Sequence, residues 1–195
     1  RTSKILQSLV NFAHAGTSQT QDEKEVISIK ECMEEANTLI SLDKKQKNIV
    51  YEIECDPRAK VFGDSQRLLQ VLVNLINNSR DASQPNSKIL LIGSIEEDYV
   101  QIVITDQGVG IPAAIRDRIF DPFFTTKEAG EGTGLGLSLV FSIVRDLNGD
   151  IDIISPVDTE KGTGTRVVIR FPKFQGEAVA NNNELEEDAK LQQSV

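Results

Sequence analysis

At 195 residues, with 39% hydrophobic and 26% charged side chains, the chain can hold one domain of ordinary size plus extensions. A net charge of −9 argues against a dedicated nucleic-acid binder, and no apolar run approaches the length of a membrane span. Cys32 and Cys55 lack metal-ligand spacing and read as reduced thiols of a cytosolic protein, with no signal peptide in view.

Residues 1–14 (RTSKILQSLVNFAH) predict a helix whose Ile5, Leu9 and Phe12 form a narrow apolar stripe suited to a partner helix. The chain opens on Arg1 inside that helix, not on Met, so a fragment lacking its amino-terminal part is expected. A polar linker over 16–25 precedes a short strand at 26–29. An amphipathic helix over 30–47 turns Met33, Ala36, Leu39 and Ile40 inward, and Lys44, Lys45 and Lys47 suit the dipole at its end. Residues 49–55 alternate like a strand, Asp56-Pro57 turns the chain, and 60–62 is a short extended piece. Asp64 or Ser65 then caps a helix that contains VLVNLINNSRDAS (71–83), and Pro85-Asn86 ends that region. Runs at 88–96 and 99–105 predict an antiparallel hairpin around Glu97-Asp98. DQGVGIP (106–112) follows, with Pro112 as first residue of a short helix through Ile119. FDPFFTTK (120–127) and EAGEGTGLG (128–136) read as a mobile loop before a helix over 135–147, closed by Asn148-Gly149. The last strands are 150–155 and 165–171, joined around KGTGT (161–165). From Gln175 the tail is polar and acidic (Glu177, Glu184, Glu186, Glu187, Asp188 against Lys190), hence expected to be disordered. Helices mixed with antiparallel strands point to an α+β sandwich.

Three stretches carry chemistry. Asn74 and Asn78 are four residues apart, so their carboxamides share one helix face, about 6 Å apart along the axis. Asn is a mediocre helix former, which favours a use for the amides over a merely solvated face. Asn78 can offer its oxygen to Mg²⁺, an ion that keeps most of its waters and takes few protein ligands. Asp106 ends a strand before Gly108 and Gly110. A fixed carboxylate only accepts hydrogen bonds, so it suits an adenine amino group and repels a guanine keto oxygen; the alternative is a plain strand-end turn. Gly132, Gly134 and Gly136 open an apolar helix and offer backbone N–H groups to phosphates; the alternative is a flexible linker. Neither a Walker nor a Rossmann pattern is present. Lys127 can reach a terminal phosphate as a point charge, or is a solvated surface lysine.

The order of these stretches resembles the ATP-binding domain of sensor histidine kinases, in the superfamily shared with gyrase, chaperone and mismatch-repair ATPases. NLINNSRDA resembles the asparagine box, DQGVGIP the first glycine box, and FDPFFTTK the phenylalanine box of nitrogen-regulation-type kinases. GTGLGLSLV resembles the second glycine box and GTGT (162–165) the last one. The resemblance covers roughly 26–173 and implies a Bergerat-type two-layer α/β sandwich, a mixed sheet covered on one face by helices. It implies ATP and Mg²⁺ as cofactors, with Asn78 on the metal, Asn74 near the phosphates, and Asn74, Asn78 and Lys127 carrying the chemistry. Asp106 is implied on the adenine amino group, beside Gly108, Gly110 and Ile111, with Thr165 on the adenine side. Phe120, Phe123, Thr126 and the loop through Gly132 are implied as a lid, and Thr133, Gly134, Leu135, Gly136 and Leu137 as the phosphate cradle. Asp81 completes the implied nucleotide set.

Residues 1–15 resemble the second helix of a dimerisation and phosphotransfer hairpin, whose first helix would carry the phosphoaccepting His. His14 is a poor substitute, because Ala15 and Gly16 stand where the family has an acidic residue. The domains expected are therefore 1–15 (incomplete hairpin), 16–25 (linker), 26–174 (ATP-binding domain) and 175–195 (acidic tail). The resemblance implies a cytoplasmic kinase domain, relay to a response regulator receiver domain, and a homodimeric parent, with a monomer as a state open to this piece. The alternatives are an ATPase of the same fold, or a nucleotide-binding module without transfer activity. Those ATPases place a Glu base one turn before the metal-binding Asn. Here Asn74 stands there and cannot accept a proton, which costs on the order of 10²–10⁴ in rate and favours the kinase.

Overall fold

The structure is a computed structural model that describes residues 24–42, 48–128 and 132–174. The expected first helix with His14, the linker up to residue 23, Lys44, Lys45, Lys47 and the tail from Gln175 lie outside the described residues.

Strands β1 (Glu25–Ser28) and β3 (Lys60–Gly63) form a small antiparallel pair. The main sheet contains β2 (Val50–Cys55), β4 (Lys88–Ile95), β5 (Tyr99–Asp106), β6 (Asp150–Ile154) and β7 (Thr165–Pro172), in the order β2-β4-β5-β7-β6. β2 and β4 run parallel and the other neighbours antiparallel, so the sheet is mixed. The hairpin expected around Glu97-Asp98 is β4–β5, with Ile95 opposite Val100.

β5 shows how the sheet positions the site. Val100, Ile102 and Ile104 are buried, while Gln101, Val103 and Thr105 on the other face are half-buried. The two-residue period of a strand puts Asp106 next on the buried face. A carboxylate at that register enters the layer between sheet and helices.

Helices α1 (Ile29–Ser41), α2 (Ser65–Ala82) and α3 (Gly136–Asp146) cover that face. The Ser28 hydroxyl accepts the Glu31 N–H at 3.4 Å, and the Asp64 carboxylate accepts the Arg67 N–H at 3.1 Å. Each cap satisfies a donor that the first turn leaves orphaned. α2 contributes Leu68, Leu69, Val71, Leu72, Leu75 and Ile76 to the core; α3 contributes Leu139, Val140, Ile143 and Val144. Each such side chain stabilises by roughly 1.5–3 kcal/mol. The partly exposed Arg67–Asp146 ion pair at 2.5 Å, which joins the two helices, adds at most about 1 kcal/mol. Apolar packing therefore sets how α2 and α3 meet.

Two expectations are corrected. Leu39 is 46% exposed, because the buried stripe of α1 runs through Ile29, Met33, Ala36 and Ile40 and leaves Leu39 past its edge. The short helix after Pro112 is a 3₁₀ turn over Ala113–Arg118 that buries none of its residues, with Pro112 flanking it. Cys32 and Cys55 are both free, and burial pushes the Cys32 thiol up to about 12, too high for a reactive thiolate.

Candidate functional site

The outward face of α2 carries Asn74 and Asn78, both half-buried, and Asp81, which is exposed. The Asn74 amide N–H₂ donates to the Gln70 carbonyl at 2.9 Å, which leaves its Oδ1 for other partners. A Cβ on Gly136 would lie 3.4 Å from that oxygen. The first residue of α3 therefore sits beside Asn74. No side chain caps α3, so its amino-terminal N–H groups and positive dipole end adjoin the amide row. Just upstream, the Thr133 hydroxyl accepts the Leu135 N–H at 3.4 Å. Leu135 is buried and Leu137 half-buried, so these positions face the site through backbone more than side chain.

Gly134 is the hinge of this end. Its φ is +68°, and a Cβ there would come 2.3 Å from the carbonyl carbon of Phe123. Only glycine avoids both penalties. A Cβ on Gly132 would come 2.4 Å from Thr125 Oγ1. Segments 123–125 and 132–134 thus lie against each other and form a stem, with Thr126 and Lys127 exposed beside it. Lys127 Nζ pairs with Asp81 Oδ2 at 2.5 Å. Phe120 packs its ring on Phe141 of α3, 5.2 Å between centroids, whereas Phe123 is 66% exposed.

The other end is buried. Asp106 is 5% exposed, and its Oδ1 accepts the Gly108 N–H at 2.9 Å and the Thr165 N–H at 3.1 Å. Burial pushes its pKa above the usual carboxylate value, against hydrogen bonds from Gly108, the Ser79 hydroxyl and Thr165 that favour the charged form. A Cβ on Gly108 would meet Ala82 at 2.8 Å, and the Val109 N–H donates to the Ala82 carbonyl at 3.2 Å. The loop after β5 is therefore pressed onto the end of α2. Ser155 clasps the remaining loops: it accepts the Ile111 N–H at 2.7 Å and donates to the Gly164 carbonyl at 2.9 Å. Gly110 and Thr165 both adjoin this hydroxyl.

The residues nominated from sequence therefore fall into two groups on different sides of α2. Asn74, Asn78, Asp81, Lys127 and the glycines from 132 to 136 stand at one, and Asp106, Gly108, Gly110, Ile111 and Thr165 at the other. Two members escaped the sequence reading. Ser79 had a signal, a hydroxyl in the buried register of Leu72, Leu75 and Ile76. Ser155 had none, since its partners come from distant loops. Two cavities of about 290 Å³ lie elsewhere, one beside β1 and β3 and one beside Tyr51 and Arg80. Neither coincides with this site. Among the described residues no cluster of three His, Cys, Asp or Glu could hold a metal by itself, and no helix is long and apolar enough to cross a membrane.

Residues 63–175 match the family described as histidine kinase-, DNA gyrase B-, and HSP90-like ATPase. The chain is 33% identical over 177 residues to sensor histidine kinase RcsC of Escherichia coli (strain K12), covering 88% of this chain and 18% of RcsC. It is 39% identical over 137 residues to sensor kinase CckA of Brucella abortus (strain 2308), covering 63% of this chain and 14% of CckA. The chain thus spans less than a fifth of the length of these relatives. Its structure is similar to the catalytic domain of histidine kinase ThkA, with a TM-score of 0.67 and 31% identity, covering 77% of this chain and 96% of that one. A mixed five-stranded sheet under three helices, with amides and an uncapped helix end at one side and a buried acid at the other, agrees with these likenesses. The chain belongs to the histidine kinase-, DNA gyrase B- and HSP90-like ATPase family, as an ATP-binding catalytic domain of the kind found in sensor histidine kinases.

Proposed function

We propose that this domain holds Mg·ATP along α2 and presents the γ-phosphoryl group to a histidine on a separate hairpin domain. The observation that carries the reading is the row formed by Asn74, Asn78 and the uncapped start of α3, together with the buried Asp106 that Ser79 of the same α2 helix bonds. Asp106 accepts the adenine amino group, and its two backbone bonds fix the direction in which it accepts. Gly108, Gly110, Ile111 and Thr165 shape the base pocket around it. The amino-terminal N–H groups of α3, reached past Gly134 and Gly136, take the phosphates.

The donor set fits magnesium in the way that ion prefers. A single half-buried carboxamide, Asn78, supplies the protein's oxygen, and among the described residues no cluster of three carboxylates competes with the phosphates. When bound, the metal supplies charge compensation for the transferring phosphoryl. Lys127 adds a second positive charge at the terminal phosphate, and the positive end of α3 a third. The protein's part is thus positioning and electrostatics, as suits phosphoryl transfer. Asn74 orients and does not deprotonate: its amide nitrogen is committed to Gln70 and its oxygen is no base at neutral pH. Water is therefore a poor nucleophile here, and a neutral imidazole, brought in on the hairpin, is a good one. Phe120, Phe123 and Thr126 shield the phosphates from solvent once nucleotide is in place. In the whole protein the phosphoryl would pass on to a response regulator receiver domain, within a homodimer whose kinase portion is cytoplasmic.

The test is to mix the chain with Mg²⁺, γ-labelled ATP and a separately made hairpin carrying its acceptor histidine. Acid-labile label on the hairpin is expected. Release of free phosphate with no label on the hairpin would replace the kinase with an ATPase.

A further inference from the structure

Asp81 is the only carboxylate in α2, and it stands three residues beyond Asn78, about 4.5 Å farther along the axis and on the same face. Left alone there, a negative charge opposes a polyphosphate. It is not left alone. Its Oδ2 lies 2.5 Å from Lys127 Nζ, and the Arg80 guanidinium approaches its other oxygen at 3.8 Å. Lys127 is itself fixed at the stem: its N–H donates to Thr125 Oγ1 at 3.2 Å, and its side chain runs within 3.2 Å of where a Cβ on Gly132 would lie. The side chains of the pair are 38% and 40% exposed, so solvent screens it and it holds only weakly. The one lysine nominated to meet the terminal phosphate is therefore already engaged, by a partner it can leave at small cost.

We propose that Asp81 is a specificity-determining residue: it holds Lys127 while no γ-phosphoryl group is present and yields it to that group, so that ATP, unlike ADP, binds at the expense of the pair and the site's preference for ATP over ADP is held below what a free lysine would give. The inference rests on the nucleotide reading above and deepens it. ATP brings a terminal phosphate within reach of the lysine, a stronger partner than one exposed carboxylate. ADP ends one phosphoryl short, so Lys127 stays on Asp81 and contributes nothing to ADP. After transfer the lysine returns to Asp81, which favours product release. In this scheme Asp81 touches no nucleotide atom; it acts through Lys127.

The experiment is a double-mutant cycle, titrating Mg·ATP and Mg·ADP into the full chain and its variants. In Asp81→Asn, ATP no longer has to break an ion pair to engage Lys127, so ATP should tighten while ADP, which does not reach the lysine, should not, and the ratio Kd(ADP)/Kd(ATP) should rise by about threefold. Asp81→Glu, which keeps a carboxylate for the lysine, should retain the wild-type ratio. In the Lys127→Met background, Asp81→Asn should leave the ratio nearly unchanged, because no pair is left to break and solvent screens the exposed carboxylate from the phosphates. An equal shift for ATP and ADP in Asp81→Asn, or a ratio change that survives in Lys127→Met, would overturn the exchange. So would an ATP affinity that Lys127→Met does not alter. A wild-type chain that binds neither nucleotide would instead sink the nucleotide reading itself, which separates the two failures.

Discussion

Two carboxylates of the same site, Asp106 and Asp81, stand in opposite surroundings. Asp106 is 5% exposed and fixed by two backbone N–H groups, whereas the Asp81 side chain is 40% exposed and holds an ammonium. The end proposed to read the base is built from sheet register: the strand that buries Ile102 and Ile104 buries Asp106 too. The end proposed to hold the phosphates is built from bare backbone, a glycine hinge and one weak ion pair. A rigid end that selects the ligand and a yielding end that responds to it suit a domain that must bind, transfer and release.

The sharpest way to break this contrast is at the hinge. Gly134→Ala forces a side chain into the left-handed region and against the Phe123 backbone. Strain of that type costs about 1–3 kcal/mol before any overlap, so ATP affinity should fall by at least about tenfold. Because the stem lies outside the core, the melting temperature should change much less; calorimetric titration and melting together check this. Unchanged affinity would mean that the stem does not form the phosphate end.

Asp106→Asn probes the rigid end and has two effects of opposite sign. The amide presents an N–H₂ where the adenine amino group needs an acceptor, so ATP should weaken by about tenfold, the loss expected of a hydrogen bond to a charged group. Stability should rise. Burial lifts the Asp106 pKa above its unfolded value, so the folded state prefers the proton and the ionised acid destabilises it above that range. At neutral pH the variant should melt higher than wild type, and the gain should shrink as pH falls through the raised pKa toward the ordinary carboxylate value. A variant that melts lower at neutral pH would show that the hydrogen bonds outweigh burial.

Ser155→Ala is the mildest probe. It removes the acceptor of the Ile111 N–H and the donor to Gly164, and should cost about 1–3 kcal/mol of stability. ATP binding should loosen only as far as Ile111 and Thr165 shift. A melting temperature equal to wild type would mean that the loops hold the pocket without the clasp.

The same contrast explains what could be read in advance. Apolar runs mark β4, β5, α2 and α3, and its place at a strand end before Gly108 and Gly110 marks Asp106, whereas the register that buries it emerges only in the structure. Asn74 and Asn78 were legible because amides in mid-helix need a reason. Ser79 is legible from its place in the buried stripe of Leu72, Leu75 and Ile76. The pairing of Asp81 with Lys127 was not legible: it joins residues 46 apart, and nothing in either stretch names the other. Ser155 is the same case across loops. Leu39 was misplaced because a four-residue stripe was drawn one position too wide.

The most direct measurement is a titration of ATP and inosine triphosphate into the chain, each with and without Mg²⁺. One nucleotide spanning both ends should lose affinity by about tenfold when its amino group becomes a keto oxygen facing Asp106. It should lose affinity again, by an independent factor, when the metal is withheld from Asn78. Equal affinity for the two bases would contradict the placement of the purine on Asp106, and indifference to Mg²⁺ would contradict the placement of the phosphates beside Asn78.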